Sequence, residues 1–228
     1  MIRYRTAREG VWMIFLVFVA GGALPLAAQE AAAPLSVDQL LTGIEEAYSG
    51  KGFSAAFDQE ATIKAMQITD TAQGQLFVRR PGKMRWEYTT PEPQIIITDG
   101  ANLWVYRPLD KQVMTGTAPA FFGDGKGAGF LSDIRLVRKS FDVGLEKTEM
   151  AGEYRLRLTP RQKTPDVTAV HLSVSADTFI ITDVVTVNAY GDETWIKLKD
   201  YRFDQSFENE VFAFDIPPGT DVLKLNEN

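Results

Sequence analysis

From Ser36 onward the apolar residues first fall at helical spacing. Leu40, Leu41, Ile44 and Tyr48 make one stripe, and Gly50 stops it. Ser36-Val37-Asp38-Gln39 ahead of the stripe reads as a capping box, with Ser36 accepting from first-turn amides and Gln39 reaching back. From Phe53 the period changes to two. Phe53, Ala55 and Phe57 alternate with Ser54 and Asp58, and Leu76 and Val78 follow Gln73 and Gln75. Met84, Trp86 and Tyr88 alternate with Arg85 and Glu87. Ile95 to Ile97 and Leu103 to Tyr106 are apolar runs separated by Asp99-Gly100, a hairpin-turn dipeptide, and Lys111 to Thr117 reads as the next strand. The second half repeats the pattern. Tyr154, Leu156 and Leu158 alternate with Arg155 and Arg157, and Val170, Leu172 and Val174 with His171 and Ser173. Phe179 to Val187 runs long, Gly191-Asp192 turns, and Ile196 and Leu198 alternate with Lys197 and Lys199.

This predicts a mainly β chain of about ten or eleven antiparallel strands with one wet face, and two or three short helices. A sheet of that size curls or closes rather than staying flat. One segment breaks the run. Phe121 to Phe130 carries Gly123, Gly125, Gly127 and Gly129, and after it Phe130, Ile134 and Val137 have helical spacing. A mobile loop leading into a short helix is expected there, between two sheet halves. A phosphate loop is the weaker alternative, since neither a preceding buried parallel strand nor a Gly-Lys-Ser/Thr ending is present.

The first residues change the picture of location. Arg3, Arg5 and Arg8 precede the apolar run Val11 to Ala20, and Pro25-Leu26-Ala27-Ala28 ends in small residues. This reads as a secretory signal over residues 1–28, followed by a single domain over 29–228 and a periplasmic address. An uncleaved anchor is the alternative, for which the run is short against the roughly 20 residues of a span. The chain has 24 basic and 30 acidic residues; removing Arg3, Arg5, Arg8 and Glu9 leaves 21 against 29. That acidity argues against a nucleic-acid partner, which needs clustered Lys and Arg. With no Cys, the chain has no lipid-attachable thiol, no thiol catalysis and no thiolate-held metal.

Catalytic candidates are scarce. His171 is the only histidine, and its neighbours Val170 and Leu172 claim the buried face, so it should point outward. No nucleophile with an oriented base can be named, so no enzyme, cofactor or metal site is expected. What stands out is apolar area. The inward-reading residues Phe53, Phe57, Leu76, Val78, Met84, Trp86, Tyr88, Leu156 and Leu158 fit either a dry core or the lining of a lipid-binding cavity. Two short helices leave part of a concave sheet uncovered, which favours a cavity or an apolar patch. Alternation also puts Arg80 on the face of Leu76 and Val78. Its head either reaches solvent at the strand end or bonds carbonyls of a lid as a latch.

The stretch Arg80-Pro81-Gly82-Lys83-Met84-Arg85-Trp86-Glu87-Tyr88-Thr89-Thr90-Pro91, continued through Ile97-Thr98-Asp99-Gly100 and Leu103-Trp104-Val105-Tyr106, resembles the outer-membrane lipoprotein carrier family, LolA. Phe53 to Gln59 and Phe212 to Pro218 fit the same family, and the similarity is sharpest between residues 53 and 117. The resemblance implies an incomplete β-barrel with a helical lid and a monomeric periplasmic chaperone without cofactor. Its partners would be acylated lipoproteins, an inner-membrane ABC-type releasing complex and an outer-membrane receptor lipoprotein. It assigns Arg80 to the lid latch and Met84 to the cavity mouth. Only ten residues follow Pro218, so a longer C-terminal extension is not expected. A sensor of lipids or lipoproteins built on the same curved sheet is the competing reading; such a sensor would be fused or bound to a membrane regulator.

Overall fold

A computed structural model describes residues 35–225. The expected signal, residues 1–28, and the Ala-rich lead-in to Pro34 lie outside them. The first element is helix α1 (Val37–Ala47), begun by the capping box that the sequence suggests: the Ser36 side chain accepts from the Gln39 amide and Gln39 Oε1 accepts from the Ser36 amide. Its stripe of Leu40, Leu41 and Ile44 is buried.

Six strands follow as a meander: β1 (Gly52–Ile63), β2 (Ile68–Arg79), β3 (Lys83–Thr90), β4 (Gln94–Thr98), β5 (Asn102–Arg107) and β6 (Gln112–Thr117). Five more form a second meander: β7 (Phe141–Glu146), β8 (Glu153–Pro160), β9 (Ala169–Ser175), β10 (Ile181–Val187) and β11 (Glu193–Phe203). Antiparallel pairing of β1 with β11 joins the halves, and the last strand, β12 (Asp221–Lys224), adds in parallel to β6. The result is one open sheet of twelve strands in the order β12-β6-β5-β4-β3-β2-β1-β11-β10-β9-β8-β7. It is curved and unclosed, with β12 and β7 as its two edges.

Two strands lie outside the runs named from the sequence: β7, and β12, whose four residues are all exposed and carry no alternation. The predicted strand from Phe179 begins later, at Ile181; Phe179 adopts a positive φ of 55° before it. The larger correction concerns the glycine-rich stretch. It is not an irregular loop but helix α2 (Ala118–Phe122) followed by a 3-10 segment (Gly123–Ser132), with helix α3 (Leu136–Ser140) beyond. Backbone bonding organises it, because the carboxy-terminal end of the segment is buried: Ala128, Phe130, Leu131, Ile134 and Val137 are 5% exposed or less.

Sheet order explains what this segment does. β6 and β7 are consecutive strands in sequence but sit towards opposite ends of the sheet. The connection from 118 to 140 therefore crosses the open side of the curved sheet, and its buried side chains join the core on the concave face. Helix α1 lies with it. Arg138 of α3 reaches Asp38, Thr42 and Glu45 of α1, so the two helical pieces are tied by ion pairs and hydrogen bonds. On the opposite, convex face the chain from Phe207 to Phe214 runs as a strap. Phe207 packs on Phe77, and Phe214 on Trp104 and Tyr106.

Candidate functional site

The concave face and its helical plug form the candidate site. Alternation along β1, β2, β3 and β8 sends Phe53, Phe57, Leu76, Val78, Met84, Trp86, Leu156 and Leu158 inward, where each is 2% exposed or less. Tyr88, on the same face of β3, is half-buried and donates to Gln59 Oε1 at 3.1 Å. Burial pushes its phenol up to about 12. These residues belong to one continuous core with Leu40, Ile44, Phe130, Leu131, Ile134 and Val137 of the plug. The expected surplus of uncovered concave area is thus largely filled, because residues 118 to 132 contribute helical mass where an uncovered gap was anticipated.

Two spaces remain along β3. A cavity of about 300 Å³ is lined by Met84, Gly82, Gly100, Phe122, Phe130 and Leu136, among others, so it lies between the strand and the plug. A second, of about 270 Å³, is lined by Tyr88, Gln59, Ala72, Pro91 and Arg107. Trp86 stands between Met84 and Tyr88 on that face. Its ring meets Phe57 edge-on at 5.0 Å, and its Nε1 is buried with no partner among protein atoms.

Arg80 lies just beyond β2 and points to the concave side, whereas Arg79 points to the convex strap and donates to the Phe207 carbonyl at 2.7 Å. Arg80 Nη1 donates to the Gly50 carbonyl at 2.7 Å, directly after α1. The Arg80 amide also donates to the Lys51 carbonyl. Its guanidinium lies 5.6 Å from the Tyr48 ring centroid and 5.9 Å from that of Phe53. Nε and Nη2 are buried without partners, and burial lowers the guanidinium pKa. The Asp133 carboxylate, in the crossing segment, is close enough to stabilise the Arg80 charge but is itself held by the exposed Arg135 in a two-point pair of 2.7 and 2.8 Å. Arg80 therefore bonds the end of α1 and not the glycine-rich stretch, which adjoins it only through the field of Asp133.

The same corner holds an arrangement that the sequence pattern does not reveal. Tyr48 Oη accepts from the Ile181 amide and lies 3.0 Å from Tyr201 Oη, which donates to the Ile181 carbonyl at 2.8 Å. Burial raises both phenols, Tyr48 to about 12. Further along α1, a Cβ on Gly43 would sit 2.6 Å from the Phe179 ring, so that glycine lets Phe179 pack against the helix. His171 faces the convex side, where Nδ1 meets Glu146 Oε2 at 2.8 Å. Among the described residues no group of His, Asp and Glu could hold a metal, and no helix is long and apolar enough to cross a membrane.

Comparison with known proteins gives a consistent picture. The family described as outer membrane lipoprotein carrier protein LolA matches residues 49–215. An outer-membrane lipoprotein carrier protein of Chromobacterium violaceum is 29% identical over 173 residues, 76% of this chain and 81% of that protein. One from Nitrosomonas europaea is 25% identical over 213 residues, 93% of this chain and 98% of that protein. Among solved structures, an uncharacterized conserved protein of Thermus thermophilus has a TM-score of 0.54 at 13% identity, covering 84% of this chain and 100% of that one. A LolA superfamily protein from Nitrosomonas europaea has a TM-score of 0.46 at 14% identity, covering 79% and 99%.

Proposed function

Because the chain belongs to the outer-membrane lipoprotein carrier family LolA, we propose that it is a periplasmic chaperone that binds the acyl chains of lipoproteins. It receives them from an inner-membrane ABC-type releasing complex and passes them to an outer-membrane receptor lipoprotein. In this reading residues 1–28 are removed on export and residues 29–228 act as one domain, as a monomer.

The observation that carries the reading is the plug. Leu40, Ile44, Phe130, Leu131, Ile134 and Val137 are side chains of helical segments laid into a curved sheet, and they occupy the space that an acyl chain would take. The plug withdraws as cargo enters beside Met84, and the Arg80 to Gly50 bond favours its return. Phe53, Phe57, Leu76, Val78, Met84, Trp86, Tyr88, Leu156 and Leu158 then line the opened cavity. A carrier is required because an acyl chain of about 16 carbons costs roughly 0.8 kcal/mol per CH₂ to expose, on the order of 12 kcal/mol.

The test is a two-stage transfer. The purified protein is incubated with inner-membrane vesicles that contain the releasing complex and a labelled lipoprotein, then with outer-membrane vesicles. A soluble one-to-one complex followed by vesicle incorporation is the expected result. Binding of free phospholipid without either stage would instead support a sensor.

A further inference from the structure

Trp86 presents an unexplained group. Among the described residues, the buried side-chain polar atoms without a hydrogen-bond partner in the protein are Trp86 Nε1 and two nitrogens of Arg80. Burying an N–H with no acceptor is unfavourable, and a phenylalanine at the same place would pack on Phe57 without that penalty. Arg80 has a partner for one of its nitrogens; the indole, a donor only, has none.

Its position suggests what the donor is for. Met84 and Tyr88 flank Trp86 on the same strand face, each about 7 Å away along β3. Both line cavities, and Trp86 lies on the strand between them. A ligand lying along β3 after the plug withdraws would run past the indole, with apolar tracts to either side. Hydrocarbon offers the N–H nothing. The acceptors that an acyl-bearing ligand brings into such a space are the carbonyl oxygens where its chains are attached.

We propose that the Trp86 Nε1–H donates to an ester carbonyl of the cargo's acyl groups, so that the site distinguishes acyl from alkyl chains. This rests on the carrier reading and adds the subsite that holds the linkage. No covalent step is involved. The indole exchanges an unpaired buried state for a paired one when cargo is loaded, which favours the loaded form without any added apolar contact.

The test uses two synthetic lipopeptides that differ only in the glyceryl linkage: bis(palmitoyloxy)propyl-cysteine and its bis(hexadecyloxy)propyl ether counterpart. The protein carries ¹⁵N in its indoles, and the Trp86 resonance is assigned by its loss in Trp86→Phe. The ester lipopeptide should bind the wild type about fivefold more tightly than the ether. It alone should move the Trp86 indole proton downfield, and Trp86→Phe should bind both alike. Equal affinity and equal indole shifts for ester and ether in the wild type would overturn the subsite and leave the carrier intact. Binding of neither would overturn both. If Trp86→Phe does not fold, the ester and ether comparison on the wild type still decides, with the resonance assigned through single substitutions at Trp104 and Trp195, the other two tryptophans of residues 29–228, in turn.

Discussion

Replacing Arg80 with leucine removes one strong bond and two unpaired donors together. The bond is Nη1 to the Gly50 carbonyl at 2.7 Å, and a hydrogen bond from a charged group contributes about 1.5–3 kcal/mol. The donors Nε and Nη2 are buried without partners, and each such group costs roughly 1–3 kcal/mol. Leucine keeps an apolar stem against Tyr48 and Phe53. The two effects oppose each other, so the folded state should change little, by a few degrees in the thermal midpoint at about 2–4 °C per kcal/mol. The tether between β2 and the end of α1 loses the whole bond. On the proposed reading, that would bias a two-state plug toward the open form by about ten- to a hundredfold.

On the proposed carrier reading, loading would open the plug and break this bond in the wild type, and release would restore it. The Arg80→Leu protein has nothing to restore, so it should accept lipoprotein from inner-membrane vesicles and transfer it poorly to outer-membrane vesicles. Arg80→Lys should fall between, because its ammonium keeps a single charged donor for the Gly50 carbonyl but is more strongly hydrated than a guanidinium and so is held less well in this buried corner. Both stages are read in the same two-vesicle assay, with circular dichroism as the check on folding. Normal transfer by Arg80→Leu would refute the latch. So would loss of both stages with loss of the fold, since the bond would then be structural only.

Other expectations follow from the same geometry. A photo-crosslinker at Met84, which lines the 300 Å³ cavity, should capture lipoprotein, and one at Arg85, which faces the strap and donates to the Val211 carbonyl, should not; equal capture would contradict the facing of β3. Gly43→Leu should drive α1 off the Phe179 ring, at about 1–3 kcal/mol of overpacking, and should increase saturable binding of an environment-sensitive apolar dye; unchanged dye binding in a folded variant would show that α1 does not gate the interior. Tyr48→Phe should leave the Ile181 amide buried and unpaired, at about 1–3 kcal/mol, measured by chemical denaturation. The folded state holds the Tyr48 and Tyr88 protons more tightly than the unfolded chain, with pKa values near 12 against 10; their contribution is therefore complete below pH 10 and is lost as pH rises from 10 through 12, a fall that Tyr48→Phe should make shallower.

Local signals were legible because their causes are local. The Ser36 to Gln39 box closes within one turn, Asp99-Gly100 turns because Gly100 takes a φ of 101°, and the alternation in β3 and β8 follows from which face is buried. The plug was not, since glycines 123 to 129 favour irregular backbone on their own, whereas Phe130 and Leu131 bury against strands distant in sequence. β12 is four exposed residues held by parallel pairing to β6, a partner more than a hundred positions away. For Arg80, the face could be read from Leu76 and Val78. Its partner could not, because Gly50 contributes only a backbone carbonyl, to which residue type gives no clue.

The filled interior bears on affinity as well as on shape. A carrier with a permanently empty cavity would gain the full transfer energy of each acyl chain and would not let go. Under the proposed function, cargo would have to displace Leu40, Leu41, Ile44, Phe130, Leu131, Ile134 and Val137, all 6% exposed or less. Removing such side chains from their packing costs at least ~1.5 kcal/mol each, on the order of 10 kcal/mol together. One acyl chain gains on the order of 12 kcal/mol by leaving water. The two quantities are of the same size, so loading by this route would be an exchange of one apolar occupant for another with a small net bias. Small terms would then decide direction: on the proposed reading, a single guanidinium bond at Gly50 on the empty side and, on the loaded side, the indole donor of Trp86.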